Sequence, residues 1–326
     1  MDFRTKVEIQ SSDLDITHHN RLVMLGSCFI ESIGEMLENS KFTVNLNPFG
    51  ILYNPQSISQ ALHILIDGKP FAKEDIFEYK GLFHSYHHHS RFSNTDKDEC
   101  LAKINQSLKF GSDDLKKADI LFITFGTAYV YKSKELDLIV SNCHKLPATQ
   151  FDHYRLDVDT IVNDWNNLIN ELQTINPKLK ILFTVSPIRH FKDGAHENQL
   201  SKSTLLLAVD EICKQNKNTD YFPSYEIVLD ELRDYRFYNE DMIHPNTTAI
   251  KYIWERFSET YFSKETHSII NEWLKINSAI QHRPFNENSP EHKHFLKQTL
   301  LRLNEFNKKY PYICSDKEVS NLEARI

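Results

Sequence analysis

Short apolar runs rich in β-branched and aromatic residues alternate along this chain with segments of helical period, the signature of a parallel α/β sheet. Leu22 to Leu25, Ile120 to Phe125 and Ile181 to Val185 predict strands, with another near Tyr221 and Phe222 and a short one near Phe42 to Val44. After Ser27, the residues Phe29, Ile33, Met36 and Leu37 recur at helical spacing, so the first strand passes through a tight turn into a helix. "DVDTIVNDWNNLINELQTINP" sets Ile161, Trp165, Leu168, Ile169 and Leu172 on one face and stops at Pro177, which predicts a crossover helix packed on the sheet. Residues 199–214 and 247–262 read the same way. Beyond Phe262 the pattern changes: "SPEHKHFLKQTLLRLNEFNKKYP" opens with a Ser289 cap and Pro290 at the first helical position, and predicts a helix to about Asn307. The expected organisation is an α/β domain over residues 1–263 and a C-terminal helical extension over 264–326.

Composition narrows the partners more than the fold. The 326 residues are 40% apolar and 25% charged, ordinary values for a globular chain. A formal charge of −7 leaves no Lys/Arg excess to neutralise phosphates, so no nucleic-acid partner is expected. No apolar run approaches the ~18 residues of a membrane span, and the polar start "MDFRTKVEIQSSDLD" has no signal core, so no membrane partner and a cytoplasmic location are expected. Five scattered cysteines without a CxxC pair read as reduced thiols.

The chemistry gathers at two turns. Ser27 lies where the first strand ends, and ligands of open α/β sheets bind in the crevice beyond the carboxyl ends of the strands. The following helix offers free N–H groups and a positive dipole end to an oxyanion forming beside Ser27. Far downstream, "NEDMIHPN" sets Asp241 three residues before His244. Asp241 would fix the tautomer of His244, and His244 would accept the serine proton. The neighbouring Cys28 is intrinsically the better nucleophile, and a helix N-terminus lowers a thiol pKa. Adjacent side chains at such a turn diverge, however, and Cys28 is expected to pack inward as a small hydrophobe.

These residues sit in blocks that resemble the GSCFA family, a branch of the SGNH (GDSL-like) hydrolases. The blocks are "LGSCFIES", with Ile30 where the name motif has Ala, "NPFGILYNP", "TFGTAYVY", "NCHKLP", "SPIRH" and "YFPSYEIVLDELRDYRFYNEDMIHPN". The resemblance spans roughly residues 20–262 and implies a three-layer α/β/α fold with a doubly wound parallel sheet. It implies Ser27 as nucleophile, Asp241 and His244 as the terminal DxxH pair, and Gly50 as an oxyanion-hole donor beside the Ser27 N–H. The superfamily's GxND block corresponds to "GTAY", residues 126–129, where Ala128 replaces the Asn that donates to the oxyanion. Losing one such donor costs about 10²–10³ in rate unless Thr127 takes the role.

Other residues are candidates for substrate contact. In "FHSYHHHSRF" the histidines lack a carboxylate or Cys at metal-ligand spacing, so no metal is predicted, and His84 is expected to line the substrate cleft from a long excursion. Asn142 and His144 of "NCHKLP" are candidate substrate-orienting donors. Arg189 of "SPIRH" is either an anion ligand or a clamp on a carboxylate. Tyr238, in the aromatic run before Asp241, suits stacking on a sugar face. The expected function is a cofactor-free serine esterase removing an O-acyl group from a carbohydrate or related small ester. An acyltransferase on the same site, and a non-catalytic carbohydrate-binding or scaffold protein with a degenerate oxyanion hole, are the alternatives.

Overall fold

The computed structural model describes residues 4–326. A five-stranded parallel sheet forms the middle layer, from β1 (Arg21–Gly26), β2 (Thr43–Leu46), β3 (Ile120–Phe125), β4 (Lys180–Val185) and β5 (Thr219–Tyr221) in the order β5-β4-β3-β1-β2. β1 pairs with β2 through Leu22↔Val44 and with β3 through Leu25↔Ile123.

Because side chains alternate across a strand, the sheet feeds two cores. Val23, Leu25, Leu121, Ile123, Phe183 and Val185 face one layer, built from α2 (Pro55–Asp67), α3 (Lys97–Leu115), α4 (Val158–Ile175) and α5 (Ala195–Gln215). Leu22, Met24, Phe122 and Leu182 face the other, where α1 (Cys28–Asn39) and α6 (Thr247–Tyr261) lie. The result is a three-layer α/β/α fold with a doubly wound parallel sheet.

Several elements are absent from the apolar pattern read above. α2 starts at Asn54, whose side chain accepts the Ser57 N–H at 2.8 Å, with Pro55 next. Asn54→Ala is expected to lower the unfolding free energy by about 1 kcal/mol in urea titration, the usual cost of an N-cap. α3 buries Cys100, Ile104 and Leu108 on one stripe of an otherwise polar helix. Two excursions add an antiparallel hairpin, Phe77–Tyr79 with Leu82–His84, and a three-stranded antiparallel sheet, Tyr129–Ser133, Ile139–Val140 and Phe151–Arg155.

The C-terminal segment forms α7 (Lys264–Ile280), α8 (Pro290–Lys309) and α9 (Asp316–Arg325). They share a core of Trp273, Leu296, Leu303, Phe306 and Leu322. This bundle is docked on the α/β layers: Trp273 Nε1 donates to the Asn39 carbonyl at 2.7 Å, and Lys41 pairs with Glu318 at 2.7 Å. Among the described residues no helix is long and apolar enough to cross a membrane.

Candidate active site

The strand order reverses between β1 and β3, and the chain leaves these two strands toward opposite layers, opening a crevice at their carboxyl ends. Ser27 and Gly126 follow directly on the two strands there. Gly26 makes the turn possible: its φ is +148°, and a Cβ on it would stand 2.3 Å from the Thr124 carbonyl oxygen. Its N–H donates to Asn47 Oδ1 and its carbonyl accepts the Leu52 N–H, each at 2.9 Å, so the 47–52 loop is fastened to the turn. Glu31 accepts from Asn47 Nδ2 at 3.2 Å and pairs with Arg91 at 2.7 Å, which ties the same loop to α1.

Ser27 occupies the N-cap position of α1 but makes no side-chain cap bond, so the open N–H groups of the first turn are left to a ligand. Ser27 Oγ is buried and has no hydrogen-bond partner among the described residues. At the other turn, His244 Nδ1 lies 2.7 Å from Asp241 Oδ2. A carboxylate only accepts, so Nδ1 carries the proton and Nε2 presents a lone pair. Asp241 Oδ1 accepts the N–H groups of Ile243 at 2.9 Å and His244 at 3.0 Å. The His244 N–H, followed by that of Ile243 and the His244 ring, holds this carboxyl down at about 2, so it stays ionised through the neutral and mildly acidic range.

His244 Nε2 is turned toward the start of α1. The atom it meets is Cys28 Sγ, at 3.9 Å, and Nε2 is not hydrogen bonded to Ser27 Oγ. Cys28 is half-buried against the core on the α1 side, and burial raises its thiol pKa despite the nearby N–H groups of Cys28 and Phe29. Of the two residues of the turn, it is the thiol of Cys28 that faces the imidazole.

Two of the expected oxyanion donors spend their backbone N–H groups elsewhere. Gly50 N–H closes a turn onto the Asn47 carbonyl at 2.7 Å, and Thr127 N–H donates to the Tyr53 carbonyl at 2.9 Å. The Thr127 hydroxyl lies 3.1 Å from Ser201 Oγ and accepts the Tyr129 N–H at 3.1 Å. Both backbone N–H groups are therefore engaged, that of Gly50 by its own turn and that of Thr127 by the distant Tyr53 carbonyl. Ser27 N–H reaches the Thr124 carbonyl only at 3.4 Å, a long bond that leaves it the least committed of the three.

Two further side chains enter the site. His190 follows β4, stands edge-on to Tyr53 at 5.4 Å, and keeps Nε2 buried without a partner. Lys202 of α5 is fully buried and donates to the carbonyls of Gly126 and Ser186, both at 2.6 Å, at the ends of β3 and β4. The sequence carried a signal for Lys202: it lies on the same helical stripe as Leu205, Val209 and Ile212, where an apolar residue belongs.

Residues 21–257 match the model of the GSCFA family, and residues 273–326 match that of "GSCFA domain protein, C-terminal domain". The chain belongs to the GSCFA family. Among solved structures, this GSCFA protein is similar to a carbohydrate esterase family 3 protein from Talaromyces cellulolyticus, at 10% identity over 78% of this chain and 99% of that one, with a TM-score of 0.34. It is also similar to an acetyl xylan esterase, Est2A, from the rumen bacterium Butyrivibrio proteoclasticus, at 10% identity over 74% of this chain and 63% of that one, with a TM-score of 0.37. No curated protein matches.

The five substrate-contact candidates of this GSCFA chain fall into two groups. His84, Asn142 and His144 line one cavity of about 300 Å³ together with Tyr79, Lys80 and Lys145. Its two imidazoles meet at 4.4 Å between ring centroids, tilted by 32°. His144 Nε2–H donates to the Ser85 carbonyl at 2.8 Å, His84 Nε2–H to the Tyr79 carbonyl at 3.2 Å, and burial pushes His144 down to about 4. Arg189 and Tyr238 form the second group, with the guanidinium 5.8 Å from the tyrosine ring centroid. Among the described residues Arg189 pairs with no carboxylate, so the clamp reading gains no partner.

Proposed function

We propose that this GSCFA protein is a serine esterase that removes an O-acyl group from a carbohydrate or related small ester. The observation that carries the reading is the Asp241–His244 pair, whose Nε2 lone pair is aimed at the Ser27–Cys28 turn at the sheet's switch point. In this reading Ser27 Oγ, unpartnered here, bonds to Nε2 in the substrate complex, where apo hydrogen bonds of this kind tighten. Ser27 Oγ then attacks the acyl carbon while its proton passes to His244 Nε2. The tetrahedral oxyanion collapses, the carbon–alkoxide bond breaks, and the alkoxide leaves with that proton. Water, deprotonated by His244, cleaves the acyl-serine and restores the hydroxyl. If a second sugar hydroxyl enters in place of water, the same steps make an acyltransferase.

Cysteine catalysis is the second reading, favoured by the 3.9 Å contact between Cys28 Sγ and His244. Its raised thiol pKa opposes it, since the thiolate is the nucleophile. A fluorophosphonate probe decides between them. We expect labelling of the wild type and of Cys28→Ala, and none of Ser27→Ala. Labelling of Ser27→Ala at the wild-type rate, or no labelling of any of the three proteins, would overturn the serine reading.

A further inference from the structure

The family resemblance leaves a gap where the oxyanion-hole Asn should be. Ala128 is buried in the core, its N–H is held by Ser201 Oγ at 2.8 Å, and the backbone N–H groups of Thr127 and Gly50 are engaged. Against that gap stands an unused polar atom. His190 Nε2 is buried without a hydrogen-bond partner, and such a group is costly to leave bare unless a ligand takes it up. Ser27 Oγ is orphaned in the same way.

The two residues flank Gly126. A Cβ on Gly126 would lie 3.2 Å from His190 Nε2 and 3.3 Å from Ser27 Cβ, so only a glycine lets both side chains approach the same point without crowding. The Tyr53 carbonyl would stand 3.0 Å from that Cβ and already accepts the N–H groups of Gly126 and Thr127. Deepening the serine-esterase reading, on which this rests, we propose that His190 is a catalytic residue whose Nε2–H donates to the substrate oxyanion and replaces the missing amide.

Placement and charge fit this role. The residue follows β4 at the carboxyl edge, and its N–H is held by Asn198 Oδ1 at 2.9 Å, which fastens the backbone at His190 itself to α5. Burial, then the neighbouring charges of Lys202 and His244, hold the imidazole down at about 4, with Asp193 acting weakly the other way. The ring is thus neutral at working pH, and a neutral imidazole can donate to an oxyanion without competing with His244 for the serine proton.

The test compares the rate constant for fluorophosphonate labelling of Ser27 in the wild type, His190→Ala and His190→Gln, with folding checked by circular dichroism. We expect His190→Ala to label about 10²-fold more slowly, because the phosphoryl oxygen mimics the oxyanion, and His190→Gln to recover at least about 10-fold of that loss. Glutamine donates an N–H but cannot take up a proton, so its rescue separates a donor from a base. His190→Ala labelling within about threefold of wild type, or equal loss in folded Ala and Gln variants, would overturn the assignment while leaving Ser27 as nucleophile. A wild type that does not label at Ser27 takes down the esterase reading itself, and this assignment with it.

Discussion

Asp241→Asn will lower kcat for hydrolysis of a chromogenic acetate ester by about 10⁴-fold, with KM within about threefold of wild type and the fold intact. The size follows from which oxygen does what. Oδ1 accepts two backbone N–H groups, from Ile243 and His244, and Oδ2 faces His244 Nδ1 at 2.7 Å. An asparagine must keep its single carbonyl oxygen where the two N–H donors converge, because turning the NH₂ group there would set donor against donor. The NH₂ group then faces Nδ1, which can only accept from it. The imidazole is forced into the Nε2–H tautomer and no lone pair points at the nucleophile. Steady-state kinetics with the acetate ester checks this, and a loss below about 10-fold would mean that Asp241 does not set the tautomer.

The elements that position this site were legible to different degrees. β3 was read at its observed bounds, and the turn at Gly26 and Ser27 could be placed at a strand's end, because buried strands announce themselves as apolar runs. The short DMIH spacing was enough to bring Asp241 and His244 together. The oxyanion donors were not legible. The Gly50 N–H is taken by a local turn onto Asn47 that no residue pattern marks, and the Thr127 N–H by the Tyr53 carbonyl, which the fold alone brings within reach. Nothing in "SPIRH" marks His190 for a role, since only the fold reveals that Nε2 is orphaned beside Ser27. α3 was missed because its buried stripe of Cys100, Ile104 and Leu108 is thin within a polar sequence.

Lys202→Met will change how stability depends on pH rather than simply lower it. The Lys202 amine has an ordinary value of 10.5, and burial brings it down to about 7, while a Cys28 thiolate would favour its charged form. Around it stand the half-buried Cys28, the neutral His190 and the Tyr225 ring, whose centroid is 5.6 Å from Nζ. Between these two pKa values the unfolded chain binds a proton that the folded chain does not, so wild-type stability rises with pH. The cost of burying the ammonium is full below about pH 7 and vanishes above 10.5. A drop from 10.5 to about 7 corresponds to roughly 5 kcal/mol, of which about 3 kcal/mol is recovered between pH 6.5 and 9.5. Methionine carries no such burden, but it leaves the carbonyls of Gly126 and Ser186 without donors, at about 1–3 kcal/mol each. The variant is therefore clearly less stable than wild type at pH 9.5, and the gap narrows by about 3 kcal/mol at pH 6.5. Urea unfolding of both proteins at the two pH values measures the difference, in which titrations common to both cancel. Parallel pH dependences would show that Lys202 keeps an ordinary pKa in the fold, and that a fixed ammonium rather than a titrating amine holds the ends of β3 and β4 around Ser27.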